Sequence, residues 1–87
     1  MGKAFSEQAE RSIIEAPYCR VAVYPAVRGW MSARVQIEFA NTDDGLGVET
    51  TPGRGGGHYL VEGATAEEVA KAASKLRGKP VEVVHVE

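Results

Sequence analysis

From Ala33 to Ala40 the chain reads Ala-Arg-Val-Gln-Ile-Glu-Phe-Ala, in which Ala33, Val35, Ile37 and Phe39 alternate with Arg34, Gln36 and Glu38. Successive side chains of an extended strand point to opposite faces, so the first four share one face and Arg34, Gln36, Glu38 and Ala40 the other. A helix would scatter the same residues around its axis. The stretch therefore demands a sheet with one packed face and one polar face. A second stretch, Tyr-Cys-Arg-Val-Ala-Val-Tyr-Pro, has the same period, with Cys19, Val21 and Val23 on one side and Tyr18, Arg20, Ala22 and Tyr24 on the other. The segment Ala-Val-Arg-Gly-Trp-Met-Ser joins the two and predicts a hairpin with a longer loop.

Upstream the period is helical. Phe5, Ala9, Ile13 and Ala16 recur at the spacing of one helix face, and Pro17 ends the segment because proline disfavours the helical conformation in the residue before it. Downstream, Thr65 followed three residues later by Glu68 is the capping-box signature of a helix start. Ala66, Val69, Ala70, Ala73 and Leu76 form the apolar face of that helix, and Gly78 with Pro80 stops it. Between them, Asp44-Gly45 marks a turn, Leu46–Thr50 reads as a short strand, His58–Gly63 as another, and Val81–Val86 as the last. The expected architecture is an α+β two-layer sandwich in the order α-β-β-β-β-α-β. It has one mixed or mainly antiparallel sheet with both helices on one face. The second helix is expected to carry a crossover that runs the last strand parallel to the fourth.

Eighty-seven residues make one domain with a modest core. The net charge of −2 counts against a dedicated nucleic-acid binder, which tends to be basic. The single cysteine, Cys19, can form no internal disulfide, no apolar run approaches a membrane span, and the N-terminal segment has acids and no hydrophobic block. A soluble, cytoplasmic chain without a signal peptide is expected.

The stretch Thr-Thr-Pro-Gly-Arg-Gly-Gly-Gly-His-Tyr resembles a phosphate-binding loop only in its glycines. The dinucleotide pattern fails at His58, the P-loop pattern lacks its Gly-Lys-Ser/Thr, and a strand follows where those motifs need a helix N-terminus. A turn is the simpler reading. A contact loop using Arg54 and His58, or a small ligand site adding Tyr59, is the alternative. Cys19, His58 and His85 show no spacing of a metal or nucleophile site, so neither a metal, a cofactor nor catalysis is expected.

Charge is laid out in blocks. Residues 16–37 hold Arg20, Arg28 and Arg34 and no acid, whereas residues 38–52 hold Glu38, Asp43, Asp44 and Glu49 and no base. The hairpin tip carries the only tryptophan, Trp30, beside Met31 and between Arg28 and Arg34, the residue types enriched at interface hot spots. That tip is the first candidate for a partner contact, and the acidic stretch is the second. Tyr18, Arg20, Tyr24 and Arg34 on the outward face are the candidates for a nucleic-acid surface, since aromatics interleaved with arginines can stack single-stranded bases. Cross-strand Tyr–Arg pairs dressing a solvated face are the competing reading.

The run helix–three strands–helix has the order of double-stranded RNA-binding domains, but the second helix begins Thr-Ala-Glu-Glu-Val-Ala-Lys, with acids where cations belong. No family is assigned. The expected function is a small non-enzymatic protein-binding module that regulates or inhibits by masking a partner surface, as some phage-encoded inhibitors do. A nucleic-acid-binding domain, and a small subunit of a larger enzyme complex, are the alternatives. A homodimer is also compatible with the sequence.

Overall fold

A computed structural model describes residues 5–29, 32–46 and 57–86. Helix α1 spans Glu7–Glu15, strands β1 and β2 span Tyr18–Tyr24 and Arg34–Ala40, and a single 3-10 turn covers Asp43–Gly45. Strand β3 (Gly57–Val61), helix α2 (Ala66–Arg77) and strand β4 (Glu82–His85) follow. The class is α+β, with a mixed four-stranded sheet in the order β3-β2-β1-β4. The strand expected over residues 46–50 falls mostly outside the described residues, and Leu46, which is described, lies in the turn.

The local signals act as their chemistry dictates. Ser6 caps α1, its Oγ accepting from the Ala9 amide at 3.2 Å, and the helix stops at Ala16, whose backbone is already extended ahead of Pro17. At the start of α2, Thr65 Oγ1 accepts from the Glu68 amide while Glu68 Oε1 accepts from the Thr65 amide, both at 3.2 Å. Two helix-end donors are thus satisfied reciprocally. Gly78 ends α2 with φ of 71°, a left-handed conformation that costs glycine nothing.

β1 and β2 pair antiparallel with Val21 opposite Ile37, β2 and β3 pair antiparallel with Ile37 opposite Tyr59, and β4 runs parallel to β1 with Val83 opposite Val21. One face of the sheet therefore shows Val21, Ile37, Tyr59 and Val83 in a single row. That row packs with Phe5 just before α1, with Ala9 and Ile13 of α1, and with Val69, Ala70 and Ala73 of α2, to form the core. Both helices lie on this face. The last strand runs in the direction of β3, as the crossover requires, but pairs with β1 at the far edge, so α2 crosses the whole sheet. Ser74 fixes the landing. Its Oγ donates to the Ala70 carbonyl at 2.6 Å and accepts from the Val81 amide at 2.9 Å, tying the entry of β4 to the last turns of α2.

Candidate functional site: the open face and hairpin end of the sheet

The even-numbered residues of β1, β2 and β3 form the other face, which neither helix covers. Register sets them in rows across the strands. His58, Glu38, Arg20 and Glu82 form one row, and Leu60, Gln36, Ala22 and Val84 the next. Tyr24 stands opposite Arg34, and Tyr18 opposite Ala40.

Glu38 is the centre of this face. Only 3% of it is exposed, and its carboxylate accepts three hydrogen bonds. Arg20 Nε donates to Oε1 at 2.6 Å, while Gln36 Nε2 at 2.8 Å and the Tyr24 hydroxyl both donate to Oε2. Burial alone would raise the Glu38 pKa. The hydrogen bonds from Tyr24, Arg20 and Gln36 and the charge of Arg20 outweigh it and hold the carboxyl below the usual glutamate range. Tyr24 moves the other way, pushed up by burial and by donating to the Glu38 anion, with Arg20 opposing. Burial would depress Arg20, but the bond to Glu38 and its charge carry the guanidinium above its ordinary value. The Arg34 guanidinium lies over the Tyr24 ring, 4.6 Å from its centroid. The cluster therefore holds its protons in place, and no buried side-chain nitrogen or oxygen among the described residues lacks a hydrogen-bond partner.

The structure distributes the candidate residues over several environments. Glu38 is no part of an acidic surface: it sits on the outward face, as alternation predicts, but Arg20, Tyr24 and Gln36 close around it. Asp43 and Asp44 are exposed in the 3-10 turn, and Glu49 lies outside the described residues. Of the nucleic-acid candidates, Tyr18 is 42% exposed, whereas Arg20 is committed to Glu38 and the Tyr24 ring carries Arg34. Arg28 is exposed in the turn of the hairpin, beside Gly29 with φ of 94°. Trp30, Met31 and Arg54 lie outside the described residues, and His58 is exposed on β3. Among the described residues no three His, Cys, Asp or Glu side chains gather into a metal site. Burial raises the Cys19 thiol, with the charge of Arg77 opposing, which makes it a poor nucleophile near neutral pH.

The hairpin end of the sheet carries a feature that the sequence did not reveal. The described tip residues, 25–29 and 32–33, are exposed, Val27 at 38%. At their base a groove of about 520 Å³ is lined mainly by Val23, Ala33, Val35, Leu60, Val61 and Ala64, with Arg34 and Glu62 as its charged members. Leu60 is 54% exposed there. The groove joins β1, β2, β3 and the loop before α2, segments too far apart in sequence for any local pattern to reveal it.

No described helix is long and apolar enough to cross a membrane. No protein-family model matches the chain, and no curated protein or solved structure shows significant similarity to it.

Proposed function

We propose that the chain is a small protein-binding module of the cytoplasm, without chemistry of its own, that regulates a partner by covering part of its surface. The observation that carries this reading is the groove at the hairpin end. It is a largely apolar depression with Leu60 exposed in its lining, at the end of the sheet where the described tip residues, Val27 among them, are exposed. Apolar side chains grouped around a concavity, with Arg34 in its lining, have the composition of an interface centre. The nucleic-acid reading is weaker, because Arg20 is neutralised by a buried carboxylate and Arg34 occupies the ring on which a base would stack.

The test is capture of partners from a lysate of the source cells by a tagged chain, with nuclease present, alongside Val27→Asp and Leu60→Asp. Both sites are exposed, so circular dichroism should show the variants folded. A protein held by the original chain and lost in both variants supports the reading. Equal retention by all three overturns it, as does a captured nucleic acid whose release follows salt steeply, the mark of counterion displacement.

A further inference from the structure

We infer that the outer edge of β3 takes up an extended segment of the partner protein as a fifth strand, with an apolar side chain seated in the groove and a basic one beside Glu62. The inference rests on the protein-binding reading above and specifies how the partner is held. Its basis is the set of backbone groups that the sheet leaves over. The Val86 amide donates to the Val23 carbonyl at 2.9 Å, so Val21 and Val23 turn their backbone groups towards β4. Alternate residues of a strand turn theirs to opposite sides, so Arg20, Ala22 and Tyr24 face β2. In the antiparallel register Gln36 then exchanges its bonds with Ala22, and Ile37 exchanges its own with Tyr59. Gly57, Tyr59 and Val61 are thereby committed to β2. The N–H and C=O groups of His58 and Leu60 point outward from the sheet, and both residues are exposed. Among the described residues no strand pairs with that edge.

The two edges of the sheet are not alike. β4 is four residues long, follows Lys79 and Pro80 and carries Glu82, the short, charged, proline-flanked form that discourages pairing. β3 has no proline, lysine or acid between Gly57 and Val61, and Leu60 stands 54% exposed on it. The groove begins where this edge ends, since Leu60, Val61, Glu62, Gly63 and Ala64 all line it. A strand laid along β3 gains main-chain hydrogen bonds from His58 and Leu60 and carries alternate side chains past the groove, so backbone supplies affinity and the groove supplies selection. Arg34 already lies over the Tyr24 ring, which leaves the exposed Glu62 as the charge that an arriving segment meets. The fitting segment therefore carries Lys or Arg close to its apolar residue.

Random decapeptides displayed on phage are selected on the immobilised full chain, with Leu60→Asp as the counter-selection, and the enriched peptides are synthesised. They are expected to set Lys or Arg near an apolar residue and to bind with Kd of about 10–100 µM, the weak end suited to a small interface. Glu62→Lys should weaken them about threefold, the scale of an exposed ion pair. N-methylation removes one peptide donor at a time, and should cost about tenfold at alternate positions and little between them. By amide exchange, His58 and Leu60 should be open in the free chain and protected by the peptide. That measurement uses the unaltered chain and decides the matter should a variant unfold. No peptide enriched over the counter-selection overturns the inference. So do methylation losses without alternation, His58 and Leu60 amides already protected in the free chain, or a doubled mass in sedimentation that Leu60→Asp abolishes, which would put a second copy on the edge. If any of these is found while a captured protein is still lost in both Val27→Asp and Leu60→Asp, the fifth strand falls and the protein-binding reading stands.

Discussion

The Arg77 guanidinium, in the last turn of α2, donates to the carbonyl of Ile13 in α1 at 2.5 Å across 64 residues of sequence. It also donates to Ala16 O at 2.7 Å and Pro17 O at 3.3 Å. Helix α1 has acids in its first turn and no base in its last, so its C-terminal carbonyls and negative dipole end have no local cation. Arg77 supplies one from the neighbouring helix. Arg77→Ala should cost about 1–3 kcal/mol, the scale of hydrogen bonds to a charged donor, and Arg77→Lys should recover only part because its ammonium lacks the fork. Urea unfolding measures both, and loss of amide-exchange protection in α1 before α2 identifies the cause.

Arg20 and Glu38 should behave as a unit. Arg20→Met leaves a buried carboxylate without its counter-charge, a loss of about 3–5 kcal/mol when pairs of this kind are broken. Arg20→Met combined with Glu38→Leu removes the charge as well and should cost much less than the single change. A double-mutant cycle by urea unfolding tests this, and additive losses would mean the two side chains act independently.

Stability should fall at both ends of the pH scale for separate reasons. The folded-state pKa of Glu38 is lowered, so its contribution is present above the ordinary glutamate value of 4.5 and is lost as pH falls through the lower folded one. Tyr24 is raised, so its contribution is present below the ordinary tyrosine value of 10.0 and is lost as pH rises through the higher folded one. Urea midpoints measured from pH 2 to 11 should show both limbs. Glu38→Gln should flatten the acid limb, and Tyr24→Phe the alkaline one.

Gly57 sits opposite Phe39 in the β2–β3 ladder, and a Cβ there would come within 2.8 Å of the Phe39 ring, which also stacks on Tyr59 at 5.6 Å between centroids. The ring occupies the space where a side chain would stand. Gly57→Ala should destabilise by about 1–3 kcal/mol, as overpacking does. Adding Phe39→Leu should relieve part of the clash, giving a coupling that thermal unfolding can read.

Much of the fold was legible because its signals are local. Thr65 and Glu68 are three residues apart, Gly78 and Pro80 adjoin the helix they end, and the alternation of β2 needs no information beyond its own residues. What escaped depends on pairing register and on contacts between distant segments. Alternation assigns Glu38 to the outward face but cannot say that Arg20 and Tyr24, on a different strand, enclose it. Arg77 looks like one more solvated cation until α1 lies beside α2. The groove under the hairpin tip requires β3 to pair with β2 and the chain to turn at Gly63, neither of which has a sequence signature of its own. The strand direction of β4 followed from the crossover, but its neighbour did not, because α2 is long enough to reach either edge.

The pairing of β4 with β1 sets the order in which the molecule can be assembled. β1 meets β2 through one hairpin, but its other side must wait for residues 82–85, after the whole of β3 and α2 have passed. Until then a strand that ends in the middle of the sheet is an edge, with unmatched amides and carbonyls open to any passing chain. The closing event joins the pair of strands most distant in sequence among the described residues and carries a large loop entropy. Folding speed, and losses to aggregation on the way, are therefore governed by the arrival of a strand only four residues long.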